Sequence, residues 1–543
     1  MSIHWPIIRS IVKAPGRIAI VDDKRSYRAA EILVGAMHLA DYLAPRCQTR
    51  TIGLLLPTSG AFPIAALAGW ILGKVVVPIN YLLKPEEMSY VVKDCGCDTV
   101  ITAQPMMDHL GESVRACLSG VKHVVKLEDV SFKGVPEPRW PARAKDSDLG
   151  VLLYTSGTSG KPKGVMLSHG NITANLAQIR AWVPLSSSDT ACGVLPQFHT
   201  FGLTVLTLLP LWAGFKAVYT ARFVPGRIIK MFREHRPTLF VAIPSMFNAL
   251  LHAKDSKPED FAGIRFLVSG GEPLPAVVFD TFREKFGVTI AEGYGLTETS
   301  PVTNWCRPQE WRRGTVGRPL PWLDQRIVAV EGVGGSASAE HDKVTRGEGG
   351  RVTEPSANVS PGHLVTPASP WREVPTGQEG EIRMRGPNVM QGYYHLPEET
   401  AKSFDERGYF RTGDIGRFDE DGFLYITGRL KEMLIIGGEN VFPREIEEVL
   451  NAHASVKDSG VVGKKDPMRG ELPVAFVEMK EGQAFDQMAL IRWCRSRLAG
   501  YKVPDEIRVL EALPRNPTGK VVRRELKKMV ESPPASVPSE VRA

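Results

Sequence analysis

A chain of 543 residues, 43% hydrophobic and 23% charged, is too long for one ordinary core and has the composition of a folded, multi-domain protein. Its net charge of +7 is mild for that length, and the lysines and arginines are scattered among acids, which argues against nucleic acid as the main partner. Seven cysteines at irregular spacing complete no zinc set and read as free thiols of a reducing compartment, so a cytoplasmic protein is expected.

The first residues, MSIHWPIIRSIVK, lack the charged start, apolar core and small-residue cleavage site of a secretory signal. A strand pattern (RIAIVDD) then gives way to a helix pattern, RAAEILVGAMHLADYL, with apolar residues near i, i+3, i+4 and i+7. Strands are expected at 51–56, 75–78 and 99–102, separated by a helix through Leu72 and another opened by Pro85-Glu-Glu. That alternation predicts a parallel sheet with helices on both faces. The apolar stretches 61–73 and 200–215 fall short of the about 18 to 20 residues a membrane span needs, so they read as buried helices. No transmembrane segment is expected, while reversible contact with a bilayer surface is left open.

Residues 154–165 read YTSGTSGKPKGV, three glycines, four serines or threonines and two lysines in twelve positions. Inward-pointing N–H groups, hydroxyls and positive charge together suit a polyphosphate. The apolar run before it and the helical spacing from Met166 onward predict strand, loop, helix. The pattern is not Walker A, which needs Gly, four residues, then Gly-Lys-Ser/Thr.

Alternation resumes with strands at 191–195, 216–219, 238–243 and 266–269, helices from Phe201 and Pro225, and Gly270-Gly271 at the carboxyl edge where open sheets bind ligands. A further strand at 288–291 runs into EGYGLTET, residues 292–299. The segment 332–375 is rich in Gly, Ser, Pro and charge and poor in aliphatics, so an exposed, poorly ordered insertion is expected. Antiparallel strands follow near 380–385 and 422–427. Strands (460–462, 474–479) and helices (443–451, 486–498) then build a small α+β unit with a frayed tail.

In order, YTSGTSGKPKG, EGYGLTET, YFRTGD (409–414), GRLKEMLIIGGENVFPREIE (428–447) and PRNPTGK (514–520) resemble the core motifs of the adenylate-forming superfamily. That family includes acyl-CoA synthetases, firefly luciferase and the adenylation domains of peptide synthetases, and the chain looks most like the fatty-acyl-CoA synthetases. The resemblance implies an α/β fold with a large N-terminal AMP-binding domain, 1–428, of helix-covered sheets plus a small β-barrel-like part. A small, mobile α+β C-terminal domain, 429–531, and a tail, 532–543, would follow.

It also implies the chemistry. A carboxylate would attack the α-phosphate of ATP, giving acyl-AMP and pyrophosphate, and the thiol of CoA would then take the acyl group. ATP, Mg²⁺ and CoA are the implied cofactors, and a medium- to long-chain fatty acid the implied substrate. An acyl-carrier protein or lysolipid pathway as acceptor, or a non-catalytic acyl or nucleotide binder, are the alternatives; oligomeric state is not legible.

Residue by residue, the resemblance puts Lys163 with Thr155, Ser156, Gly157, Thr158, Ser159 and Gly160 on the β- and γ-phosphates. Glu298 becomes the Mg²⁺ ligand and Thr297 a partner of the AMP phosphate. Gly270, Gly271, Glu272, Gly293 and Tyr294 would frame adenine, although Glu272 stands where the family often has a small residue. Asp414 would hold the ribose, with Arg429 as its companion. Lys520 would reach over the α-phosphate. Lys431 falls at the interdomain hinge, and Gly437 and Gly438 suit a pantetheine channel. Phe198 and His199 would lie by the acyl carboxylate, and Gly202 and Leu203 would open a helix along an alkyl tail. The 332–375 insertion has no counterpart in the family pattern.

Overall fold

The computed structural model describes residues 2–155, 161–330, 371–437, 439–515 and 519–531. Among them the large domain holds three sheets. Nine strands make the first, in the order Arg318–Pro319, Val302–Trp305, Ala291–Gly295, Phe266–Ser269, Leu239–Ala242, Thr190–Gly193, Lys216–Tyr219, Ile18–Val21, Ser26–Arg28. Its six middle strands run parallel, and antiparallel pairs finish both edges. Of these, Thr190–Gly193, Leu239–Ala242 and Phe266–Ser269 are buried at every residue, as strands covered by helices on both faces must be.

The second sheet runs Gly392–Tyr393, Lys163–Ser168, Leu149–Thr155, Val75–Pro78, Thr51–Leu54, Thr99–Thr102, His123–Lys126. Here the strand, loop, helix expectation fails. Leu149–Thr155 and Lys163–Ser168 are an antiparallel pair, with Tyr154 opposite Gly164 and Thr155 opposite Lys163, and the helix begins only at His169–Trp182. KGVMLS buries Gly164, Val165, Leu167 and Ser168, so its apolar residues serve a strand before a helix. Residues 156–160 are therefore flanked by two paired strands, and the helix starts only after the second of them.

The third sheet is antiparallel: Asp324–Val328, Gly380–Arg385, Phe410–Phe418, Leu424–Arg429. Residues 331–370, most of the expected insertion, lie outside the described residues, as does the tail 532–543. The insertion's last residues are not loose: Val374 N–H donates to Ile327 O (2.9 Å) and Ala329 N–H to Arg372 O (2.8 Å), extending the edge strand into a hairpin. Trp371 packs on Tyr409 with ring centroids 4.9 Å apart.

After a short turn at Leu430–Glu432 the chain enters its small domain, whose sheet runs Glu439–Val441, Leu434–Ile436, Gly470–Met479, Val456–Asp466, with Glu506–Leu510 parallel to Gly470–Met479. The helix Pro443–Asn451 shows why such elements form: Pro443 pre-sets the first turn, Glu445 meets its positive end, and Ile446 and Leu450 fall on one buried face. Both long apolar stretches are core. Ala61–Ile71 buries every residue from Phe62 onward, and 200–213 is broken into Thr200–Leu203, the wider π-turn Thr204–Leu208 and Leu209–Ala213. No helix among the described residues is long and apolar enough to cross a membrane. Among the described residues the seven cysteines form no disulfide, and all are buried.

Candidate active site

The carboxyl ends of the first sheet's parallel strands, the Lys163 end of strand Lys163–Ser168 in the second and two strands of the third converge, and Lys520 of the small domain reaches them. Strand Ala291–Gly295 turns at Gly295 into the short helix Thr297–Thr299. A Cβ on Gly295 would lie 2.0 Å from Pro301 O, so no other residue lets the chain fold back so tightly. Thr299 Oγ1 accepts from Leu296 N–H (3.0 Å), and Asn388 Nδ2 donates to Thr299 O (2.8 Å), which fixes the turn that presents Thr297 and Glu298.

Asp414 and Arg429 face each other across adjacent strands of the third sheet. Arg429 Nε donates to Asp414 Oδ1 at 2.6 Å and Tyr294 OH to Asp414 Oδ2 at 2.5 Å. Asp414 is only 2% exposed, yet each carboxylate oxygen keeps one acceptor position for a further hydroxyl. Asp414 holds the Arg429 guanidinium above its ordinary value, and burial, reinforced by Asp414, pushes the Tyr294 phenol well up. The sequence reading named all three and not their mutual bonding.

Lys520 is brought to the same place from the other end of the chain. Its Nζ donates to Gly271 O (3.0 Å), and a Cβ on the adjoining Gly519 would meet Ser245 and Ile243. Surrounding protein and the nearby Arg429 lower its ammonium from the usual value, against the opposing charges of Glu272, Asp414 and Glu432. Its loop is braced by Arg515, whose Nη1 donates to Gly519 O (2.9 Å) and whose guanidinium pairs with Asp458. Arg523, three residues on, pairs with Glu447 at 2.7 Å and Glu432 at 2.9 Å. Burial raises the Glu272 carboxyl, with Lys520 and Arg515 opposing. Glu272 thus faces the arriving loop as well as the Gly270-Gly271 edge.

At the phosphate end, Lys163 Nζ pairs with Glu399 Oε2 at 2.6 Å and lies 5.2 Å from the ring centre of Tyr393. Tyr393 OH donates to Glu298 Oε1 at 2.8 Å. Ser156, Gly157, Thr158, Ser159, Gly160 and Gly438 lie outside the described residues; Thr155 and Lys163 are the two stems of the loop. Among the described residues no group of three acidic, His or Cys side chains could hold a metal by itself. A single carboxylate suits Mg²⁺, which arrives with phosphate oxygens and water, so Glu298 fits that ion.

Phe198 is buried edge-on against Tyr81, centroids 4.8 Å apart, and 4.6 Å from the His199 ring. Burial lowers His199 to about 4, so the ring is neutral, and its Nε2 has no hydrogen-bond partner among the described residues. Gly202 lies in the short helix Thr200–Leu203. A Cβ there would sit 2.1 Å from Pro196 O, so its small size answers to the backbone it packs against and gives no measure of room for an acyl chain. Leu203, Val205, Leu206 and Leu208 are likewise core residues, at most 1% exposed.

Lys431 lies in the Leu430–Glu432 turn between the third sheet and the small domain. Gly437, at φ +61°, turns the hairpin Leu434–Ile436 to Glu439–Val441, and its N–H donates to Arg469 O (2.7 Å). Gly270 and Gly271 follow Phe266–Ser269, and Gly293 lies opposite Trp305. Sequence reasoning left out Tyr393, Glu399 and Glu292. Pro397-Glu-Glu carries the same helix-start signal as Pro85-Glu-Glu, but only strand pairing brings it to Lys163. Glu292 was quoted within its motif without a role; its Oε2 accepts from Leu274 N–H (3.2 Å), and burial pushes it to about 7.

Residues 8–350 match the AMP-binding enzyme family, and residues 445–520 match the AMP-binding enzyme C-terminal domain. The chain is 30% identical to a long-chain-fatty-acid–CoA ligase of Bacillus subtilis over 95% of its own length and 92% of that protein's. It is also 30% identical to a human mitochondrial malonate–CoA ligase, over 96% and 93%. Among solved structures, ATP-bound MatB from Rhodopseudomonas palustris superposes with a TM-score of 0.84 and apo MatB with 0.74, each at 27% identity over 98% of this chain and 99% of that one. The chain belongs to the AMP-binding enzyme family, the adenylate-forming superfamily its motifs resemble, and is an acid–thiol ligase.

Proposed function

We propose that the enzyme activates a medium- to long-chain fatty acid as acyl-AMP and then transfers the acyl group to CoA. The observation that carries the first step is Lys520 docked at Gly271 O beside Asp414 and Arg429, with Lys163 and Glu298 on the far side of the same cleft. Attack of a carboxylate on the α-phosphate brings two anions together and builds negative charge on phosphorus, so fixed cations around the phosphates are what the step needs. In this reading Lys163 and the 156–160 loop grip the leaving pyrophosphate, and Lys520 stabilises the charge at the α-phosphate. Asp414, Arg429 and Tyr294 hold the nucleoside between Gly270, Gly271, Glu272 and Gly293. Glu298 would hold Mg²⁺, which supplies charge neutralisation on the phosphates, and Thr297 bonds the AMP phosphate.

For the second step, residues 429–531 turn as a unit about Lys431, withdraw Lys520 and bring the Gly437-Gly438 turn to the cleft for pantetheine. The better superposition on ATP-bound than on apo MatB supports an adenylation arrangement.

The fatty-acid assignment rests on the Bacillus subtilis relative and on the aromatic rings of Phe198 and Tyr81 beside His199. A second reading, a short acid with a polar substituent, is favoured by the buried, unpartnered His199 Nε2, Thr200 Oγ1, Thr204 Oγ1 and Ser269 Oγ and by the malonate–CoA ligase relative. Acid-dependent pyrophosphate release over fatty, aromatic and dicarboxylic acids, with and without CoA, separates these readings. Release with fatty acids and a thioester on CoA is expected. No release with any acid overturns the proposal, and release without thioester on CoA points to a carrier-protein acceptor.

A further inference from the structure

Lys163 is 14% exposed, and a lysine so enclosed needs an anion beside it. Glu399 supplies one. It is held there firmly: the strand Gly392–Tyr393 pairs with Lys163–Ser168, Tyr394 N–H donates to Gly164 O (2.7 Å), and Pro397–Ser403 follows at once. Ser403 Oγ donates to Glu399 O (2.7 Å), and Lys402 Nζ stands 3.6 Å from Glu399 Oε1. The carboxylate thus comes from an element hydrogen-bonded to the lysine's own strand, and it stands on the ammonium that a polyphosphate would use. Lys163 holds the Glu399 carboxyl below its ordinary value, so the competitor is ionised at neutral pH.

We propose that Glu399 is an intramolecular competitor of pyrophosphate for Lys163: it occupies the lysine in the empty site, yields it to the polyphosphate of ATP and takes it back as pyrophosphate leaves. The inference rests on the proposed phosphate-gripping role of Lys163. A carboxylate left beside bound phosphate repels it, so its cost is paid in affinity and its benefit is faster release of a product that would otherwise reverse adenylation. No bond is made or broken by Glu399.

The test is direct titration of the full chain with pyrophosphate, followed by calorimetry, alongside pyrophosphate inhibition of adenylation. Glu399→Gln and Glu399→Ala should each bind pyrophosphate about three- to fivefold more tightly, the range of a partly exposed ion pair, while Glu399→Asp stays near wild type. Lys163→Met should weaken it. If Lys163→Met weakens binding but both Glu399 variants leave it unchanged or weaken it, Glu399 is no competitor and the inference is overturned alone. If Lys163→Met does not weaken binding, the phosphate role of Lys163 fails, and this inference fails with it.

Discussion

Lys520 Nζ donates to Gly271 O across 3.0 Å, although the two residues stand 249 positions apart. The bond joins the last loop of the small domain to the carboxyl edge of the first sheet, and Arg444, whose Nη1 donates to Ile426 O at 2.5 Å, makes a second crossing near the hinge. Within its own domain the loop is braced by Arg515, and Arg523 ties the helix that follows to Glu432 and Glu447. The proposed movement of residues 429–531 would carry Lys520 with the small domain and break its bond to Gly271.

Tyr393 touches both Glu298, through its hydroxyl, and Lys163, through its ring face. Tyr393→Phe keeps the ring and removes one hydrogen bond worth about 0.5–1.5 kcal/mol. The Mg²⁺ concentration giving half-maximal adenylation should rise about three- to tenfold with little change in thermal midpoint. An unchanged Mg²⁺ dependence would detach Tyr393 from the carboxylate's task.

Burial pushes Glu292 up to about 7 from an ordinary 4.5. A folded value above the unfolded one contributes stability that is full below about 4.5 and is lost as pH rises through about 7. Glu292→Gln should therefore flatten the fall in stability over that window, by on the order of 2–3 kcal/mol. Urea midpoints from pH 4.5 to 7, the window set by those two values, are the measurement; equal slopes in wild type and variant would sink the assignment.

Gly202→Ala places a methyl 2.1 Å from Pro196 O, and neither partner is a flexible side-chain end. Overpacking of this kind costs about 1–3 kcal/mol or more. A lowered thermal midpoint and weaker saturation by the acid are expected, whereas an unaltered midpoint would mean that the backbones do not approach so closely.

The order of strands and helices through the large domain was legible because buried parallel strands and amphipathic helices leave different periods, and Val75–Pro78, Lys216–Tyr219 and Pro443–Asn451 begin and end where the residues indicate. Within the strand Lys163–Ser168, residues 163–165 were read as loop and 166–168 as the start of the helix, because KGVMLS has no strand alternation of its own. Its strand state comes from pairing with Leu149–Thr155 on one side and Gly392–Tyr393 on the other. The same non-local pairing hid Tyr393 and Glu399. Asp414, Arg429 and Lys520 were legible through their motifs, but their convergence on Tyr294 and Gly271 is a property of the packed domains.

The central claim is that the docked small domain serves the first half-reaction through Lys520 and then moves. Its most direct test is the pair of half-reactions in Lys520→Ala: pyrophosphate release from acid and ATP, and thioester formation from supplied acyl-AMP and CoA. The account predicts that adenylation falls by about 100-fold or more while thioester formation stays within about threefold of wild type. Equal loss of both half-reactions would contradict it.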